Sequence, residues 1–560
     1  MTEFIEISII IGLASVLGIV ASKLKQPPIL GFIFAGVILG PILSLNLHTD
    51  SLELFSKIGI SFLLFVVGLE LNLKELKNMG KIALTTGIGQ IVFASITGFL
   101  IAELLHFDFV ASIYIGLAMT FSSTIIIVKL LSQKKELDSL HGKISIGFLL
   151  VQDIVAIIVL ICISTFGNID GKLFSVELFI MALKAMYVIA GVLIFVKIIL
   201  PFVLKLVHKD HETLFIFVIS YALLVAALVG SPWIGFSLEI GALIAGISLA
   251  QFYEHLQIES WMKPLRDFFL VIFFVLLGLS ISITSIGEVI VPAIIFSLFV
   301  LIVNPLLMMI IMSIFGYHKR VSFFTSLSVG QISEFSLLLI SLGVSKGILS
   351  NNVLALVTIV GAITMTVSSQ MILYNDFIYE KLKGPLSFFR FRKKLIYDNV
   401  GKSQHVDHII LLGIDGIGKN ILESLLKKNE KMLVVDYNPE NVEEMIRRNI
   451  PVYYGDIRDV DLFETMNIDK AKYLISTIPN VKANKQLMKY IQSLENKPII
   501  ILVAKNEKEV IELYDYGADY VVYPYSLTGH SINQIIKFSN KDSYTETYKT
   551  RNFNNILAKI

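Results

Sequence analysis

Between residues 4 and 379 the chain is a succession of apolar runs, most of them roughly 18–25 residues long, separated by short polar stretches. At ~1.5 Å rise per residue, a helix of that length matches the ~30 Å of a bilayer's hydrocarbon core. Thirteen runs can be delimited: 4–22, 29–46, 52–72, 82–105, 110–131, 144–166, 175–204, 213–230, 233–250, 268–284, 289–316, 322–345 and 351–379. In lipid every backbone polar group has to be satisfied within the protein, so such a chain folds as a polytopic α-helical membrane protein. The composition agrees. Of 560 residues, 55% are hydrophobic and 16% charged, and the mean hydropathy is +0.75, far from the usage of soluble domains. The single cysteine, Cys162, excludes an intramolecular disulfide framework and a cysteine-rich metal site. A net charge of +2 calls for no nucleic-acid partner. The first run lacks the basic start and small-residue cleavage site of a signal peptide, and reads as the first span.

Loop charge supplies topology. Lys23 and Lys25 follow run 1; Lys74, Lys77 and Lys81 follow run 3; Lys134, Lys135 and Lys143 follow run 5. Lys205 and Lys209 follow run 7, Lys263 and Arg266 follow run 9, Lys319 and Arg320 follow run 11, and KLKGPLSFFRFRKK follows run 13. The even-numbered loops hold almost no basic residues, Lys172 and Lys346 being the exceptions. Because Lys and Arg gather on the cytoplasmic side, this alternation predicts a multi-pass protein of the cell (inner) membrane, with the N-terminus outside and the C-terminal region in the cytoplasm. Composition turns polar near 381. Three regions follow: a transmembrane domain over 1–380, a basic linker over 381–405 and an α/β domain over 406–560.

The alternation also fixes direction. Runs 5 and 12 cross in opposite senses, and each is interrupted near mid-span by small polar residues, TFSST at 120–124 and SVGQISE at 328–334. Paired interrupted helices of opposed direction are the sequence pointer to an inverted-repeat transporter with its site between them. Ser and Thr clusters also satisfy carbonyls or allow close helix packing, and that use remains open for either cluster alone.

Run 6 carries one carboxylate, Asp153, about ten residues into its apolar stretch. Burying it charged costs ~3 kcal/mol or more, so such a residue is a functional candidate by default. It can hold a proton, or release it and bind a metal cation, K⁺ or Na⁺, with hard oxygen ligands from Ser122, Ser123 and Thr124. One carboxylate that holds either species but not both suffices for exchange. Its neighbour Gln152 is uncharged, which predicts one proton for one monovalent cation and electroneutral transport. Glu334, beside the second interruption, is a further candidate. Glu70 and Glu103 stand near run ends, and Glu239 opens run 9.

An ordered set of segments then resembles the monovalent cation:proton antiporter-2 family: GFIFAGVILGP (31–41), VGLELNLKEL (67–76), TFSSTIIIVKLL (120–131), VQDIVAI (151–157), GFSLEIGALIAGISLA (235–250), FFVLLGLSISI (273–283) and SEFSLLL (333–339). The Gln-Asp pair resembles the Kef-type potassium/proton branch. The resemblance implies a sodium/proton-antiporter fold, a homodimer, elevator-like movement of a core domain, exchange of K⁺ or Na⁺ for H⁺, and an ion-binding role for Asp153. Two departures stand out. No lysine falls in 289–316, where Asn304-Pro305 takes about that place, and a GGEF-like motif reads ISEF.

In the C-terminal region HIILLGIDGIGKN (408–420) reads as a strand, a glycine turn and a helix start, and MLVVD places Asp436 at the end of a second strand. Three further strands with intervening helices predict a Rossmann-like doubly wound unit. It resembles the TrkA-N or RCK regulatory domains of potassium transporters, with GDIRD (455–459) and YGADYVVYP (516–524) as later motifs. The expected ligand is an adenine nucleotide (AMP, ATP or NAD(H)), held by Gly413, Asp415, Gly416, Gly418, Asp436 and Asp456. Asp415 stands where the second glycine of G-x-G-x-x-G lets backbone approach a pyrophosphate, and an acid there repels one, so a monophosphate, or an empty dimerising scaffold, also fits. No residue set suggests catalysis, so no enzyme is expected. A ligand-gated potassium channel and a transport-dead membrane-anchored sensor remain alternatives; the chain lacks a filter sequence such as TVGYG.

Overall fold

The computed structural model describes residues 2–43, 49–70, 81–166, 199–207, 210–382 and 407–538, apart from scattered positions within them. The chain divides into two compact units, Met1–Ile314 with Ser322–Arg390, and Phe315–Val321 with Phe391–Ile560. Most of the linker expected over 381–405, and most of run 7, lie outside the described residues.

Among the described residues the first unit is all helical. Its elements are α1 (Thr2–Lys23), α2 (Pro28–Val37), α3 (Thr49–Glu70), α4 (Lys81–Leu104), α5 (Phe109–Ala118), α6 (Thr124–Gln133), α7 (Leu140–Phe166), α8 (Leu200–Val207), α9 (His211–Val229), α10 (Leu238–Leu249), α11 (His255–Leu279), α12 (Ile283–Leu298), α13 (Asn304–Ile314), α14 (Lys319–Leu327), α15 (Glu334–Ser345), α16 (Asn351–Leu373) and α17 (Asn375–Leu382). Among the described residues seven spans are long and apolar enough to cross a membrane, and shorter apolar helices accompany them. The two interruptions are real breaks in helical backbone: run 5 is α5 then α6, and run 12 is α14 then α15. Run 11 stays nearly continuous, with π-helical Phe299–Val303 joining α12 to α13.

Helices in lipid gain nothing from hiding apolar surface from apolar solvent, so close backbone approach holds them together. Two glycine crossings show it. A Cβ on Gly36 of α2 would lie 2.0 Å from the Val275 carbonyl oxygen of α11, and one on Gly278 would lie 2.1 Å from that of Ile33. The same happens between α3 and α10, where a Cβ on Gly246 would meet the Phe65 oxygen at 2.1 Å and one on Gly68 the Leu243 oxygen at 2.5 Å. Run 2 thus crosses run 10, and run 3 crosses run 9. Shifting either pair by seven runs gives the other. Run 5 and run 12 are also seven apart, and an odd offset reverses direction through the membrane. The breaks and the crossings thus share one offset of seven runs. Outward-facing Ile5, Ile9, Val16 and Ile19 on α1, and Ile88, Val92 and Ile96 on α4, are exposed, as lipid-facing positions require.

The second unit contains β1 (His408–Leu412), α18 (Ile417–Lys427), β2 (Met432–Asp436), α19 (Pro439–Arg447), β3 (Val452–Tyr454), β4 (Ala471–Ser476), α20 (Val481–Gln492), β5 (Ile499–Val503), α21 (Glu507–Asp515), β6 (Tyr520–Val522) and α22 (Pro524–Phe538). The strands form a parallel sheet in the order β3-β2-β1-β4-β5-β6. Every residue of β1 and β2 is buried, as continuous apolar strands covered on both faces should be. The order reverses between β1 and β4, and the crevice at the carboxyl end of β1 is the ligand position of a doubly wound sheet. The turn Gly413–Gly418 lies there.

Candidate functional site

A break in a buried helix exposes carbonyls and N–H groups that need partners. At the first break, side chains of α13, α7 and the second break provide them. Asn304 of α13 donates its Nδ2 to the Met119 carbonyl at 3.0 Å. Gln152 of α7 donates its Nε2 to the Thr120 carbonyl at 3.2 Å and accepts the Ser122 N–H at 3.2 Å through Oε1. The same Nε2 donates to Gln90 Oε1 of α4 at 2.6 Å. Gln331, within the second break, donates to the Ser123 carbonyl at 3.4 Å and accepts the Ser368 hydroxyl of α16 at 2.8 Å. Ser123 caps α6 by accepting the Ile126 N–H at 3.3 Å.

Asp153 lies halfway along α7. Successive residues of a helix are ~100° apart, which follows from 3.6 residues per turn, so Gln152 and Asp153 address different groups. Gln152 is fully buried and its amide is engaged at both ends. Asp153 is half-buried, and Thr124 Oγ1, at the first residue of α6, donates to its Oδ2 at 2.8 Å. The second break is built alike. Ser333 caps α15, accepting the Phe335 N–H at 3.2 Å, and its hydroxyl donates to Glu334 Oε2 at 3.4 Å. Glu334, the first residue of α15, is 4% exposed, and the Ile332 N–H donates to Thr364 Oγ1 at 3.4 Å.

The structure thus gathers Ser122, Ser123, Thr124, Gln152 and Asp153 at one place and sets Glu334 at the second break. Their tasks differ. Thr124 contacts the carboxylate, whereas Gln152, Ser122 and Ser123 hold the backbone that presents it. Sequence reasoning missed Gln90, a single buried amide in an apolar run whose signal was the cost of burying an amide, and gave Gln331, inside the second interruption, no role of its own. Asn304, at one departure from the resembled family, is a neutral amide that holds the Met119 carbonyl at the end of α5. Among the described residues no group of three or more His, Cys, Asp or Glu could hold a metal ion. Glu70, set aside as interfacial, is exposed and pairs with Lys263 at 2.8 Å.

In the second unit the glycine turn is shaped for a ligand crevice. Gly413 has φ +81°, and a Cβ on Gly418 would lie 2.1 Å from the Gly413 oxygen; these are the tight-turn and close-packing glycines of a dinucleotide fingerprint. Gly416, at φ +53°, has open space where a Cβ would stand. Asp436 is 3% exposed. Its Oδ2 accepts the Ile414 N–H at 2.9 Å and Asn441 Nδ2 at 3.3 Å, and its Oδ1 accepts the Asn438 N–H at 2.7 Å. Burial pushes this carboxyl up from its ordinary range, the N–H donors from Asn438 and Ile414 oppose that, and the charge of Asp415 adds to it. Asn441 also donates to Asp415 Oδ1 at 3.0 Å. Asp456 lies outside the described residues.

Comparison with known proteins gives two matches along the chain. Residues 10–373 match the family described as sodium/hydrogen exchanger, transmembrane, and residues 409–524 match the TrkA-N domain. The chain is 25% identical over 528 residues to the "Putative cation/proton antiporter YbaL" of Escherichia coli, covering 91% of this chain and 93% of that one. It is 24% identical over 517 residues to a "Glutathione-regulated potassium-efflux system protein KefC" of Klebsiella pneumoniae, covering 92% and 82%. Among solved structures, the sodium proton antiporter MjNhaP1 of Methanocaldococcus jannaschii aligns with a TM-score of 0.46 at 16% identity, over 69% of this chain and 98% of that one.

Proposed function

Because the chain belongs to the sodium/hydrogen exchanger family and carries a TrkA-N domain, we propose that it exchanges a monovalent cation, K⁺ in preference to Na⁺, for a proton across the cell membrane. Asp153 is the exchanging group. Protonated, it is neutral; deprotonated, it binds the cation together with the Thr124 hydroxyl and oxygens of the broken helices. The observation that carries this is the Thr124–Asp153 contact of 2.8 Å at the start of a helix broken in mid-span. Gln152 brings no charge, so one proton leaves for each cation bound and transport is electroneutral. The K⁺ preference rests on the potassium-efflux name of the relative.

Alternating access moves the helices that carry both breaks as a core against the remainder, in an elevator-like stroke, and the protein works as a homodimer in the lipid bilayer through both its units. The N-terminus is outside and the C-terminal unit is cytoplasmic, as the loop charges argue. That unit is a regulatory domain for an adenine-containing ligand and not an enzyme. The test uses purified protein in liposomes with K⁺, Na⁺ and Li⁺. Wild type should release protons on cation addition, with a rate unchanged by an imposed membrane potential. Asp153→Asn should abolish release. Retained exchange in that variant removes Asp153 from the mechanism, and a strongly voltage-dependent rate removes electroneutrality.

A further inference from the structure

A carboxylate that receives a ribose needs lone pairs to spare, because ribose hydroxyls donate. Asp436 occupies the position at the end of β2 where that carboxylate is sought, yet it is almost wholly buried and its two oxygens already accept three N–H groups. Asp415 has the opposite character. It is exposed, the one partner of its carboxylate among the described residues is Asn441, on Oδ1, and no cationic side chain is paired with it there. It stands two residues after Gly413, at the place where a fingerprint glycine admits a pyrophosphate. The turn itself keeps its other features, and Gly416 leaves backbone open one residue later.

Resting on the reading of the C-terminal unit as a regulatory domain for an adenine-containing ligand, we propose that Asp415 is its specificity-determining residue: it accepts the ribose hydroxyls of an uncharged ribonucleoside and rejects a diphosphate. Asn441, which donates to both Asp415 and Asp436, is the positioning residue that holds the acceptor over the crevice. Moving the acceptor from Asp436 to Asp415 brings negative charge to the mouth of the turn. A neutral ribose meets it with hydrogen bonds; a pyrophosphate meets it with repulsion in a partly screened crevice.

The experiment is calorimetric titration of the full-length protein in detergent with adenosine, 2′,3′-dideoxyadenosine, AMP, ADP and NAD⁺, with and without Mg²⁺. Wild type should bind adenosine about tenfold or more tighter than ADP, NAD⁺ or the dideoxy analogue. Asp415→Gly should reverse the order, gaining ADP and NAD⁺ while losing the discrimination between adenosine and its dideoxy analogue. If that variant fails to fold, Asp415→Asn gives a second route: it should relieve the rejection of ADP while keeping part of the preference for adenosine. A wild type that binds NAD⁺ or ADP more tightly than adenosine, or binds them only with Mg²⁺, overturns the assignment and leaves the domain's regulatory reading standing. No heat with any of the five, in wild type and variants alike, overturns both.

Discussion

Asp153 and Asp436 are both aspartates beside irregular backbone, and the structure uses them in opposite ways. Among the described residues Asp153 accepts one hydrogen bond, from a neutral hydroxyl, and it is half-buried. Asp436 accepts three N–H groups and is almost fully enclosed. A carboxylate with lone pairs to spare can trade one partner for another, whereas one enclosed and already holding two backbone N–H groups and a side-chain amide is a brace for the turn. At the membrane site, bracing is delegated to amides. Gln152, Gln331 and Asn304 hold the broken backbone, and the carboxylate is left free to react.

The largest effects should separate these two kinds of carboxylate. Asp436→Ala leaves the Ile414 and Asn438 N–H groups without acceptors, and each buried orphan costs ~1–3 kcal/mol. Set against a domain stability of ~5–15 kcal/mol, that should lower the melting temperature of the C-terminal unit by many degrees. Asp153→Asn should leave thermal unfolding of the full chain nearly unchanged while stopping transport. If the two variants lose stability equally, the contrast between a free and a spent carboxylate is wrong.

Gln152→Leu comes next. It strips partners from the Ser122 N–H, the Thr120 carbonyl and Gln90 at once, so the first break should loosen although Asp153 is intact. A loss of ~1.4 kcal/mol in the presentation of the site corresponds to about a tenfold fall in transport. Wild-type flux from this variant would mean that the break needs no amide brace. Thr124→Val should act more gently. It removes one hydroxyl from Asp153, worth ~1 kcal/mol, and should weaken apparent cation affinity about fivefold with the maximal rate kept. An unchanged affinity would take Thr124 out of the cation's coordination.

Much of this was legible before the fold. The apolar runs and the interruptions at 120–124 and 328–334 follow from the length and dryness of the bilayer, and Asp153 follows from the cost of burying a charge. The glycine turn and the acid after β2 follow from Rossmann geometry. What could not be read is which polar side chain serves which partner. Gln90 lies in a run that reads only as apolar and Gln331 inside a polar interruption, and their meaning comes from partners 62 and 208 residues away. Ser122, Ser123 and Thr124 are alike by composition, yet only Thr124 meets the carboxylate, because the helix restarts there and turns its side chain toward α7. At the glycine turn, the spacing placed Asp436 among the residues expected to hold a ligand. Its three N–H partners arise from how β1, β2 and α19 come together, which no spacing reveals.

The smallest expected effect lies in the pH dependence of the C-terminal unit. Burial raises the Asp436 carboxyl above its ordinary value of 3.8. Between that value and the native one, the folded domain holds a proton that the unfolded chain has released. Stability should therefore fall as pH rises through this window and level off above it. Asp415 contributes to the rise through its charge, so Asp415→Asn should bring the native value down and narrow the window from its upper edge. Hydrogen exchange at the Ile414 and Asn438 amides, which donate to Asp436, followed in the full chain from pH 4 upward, reads this directly. Protection at both amides should decline over a shorter pH range in the variant. A decline over the same range in wild type and variant would mean that the two carboxylates do not sense each other, and that Asn441 screens a pair it was taken to join.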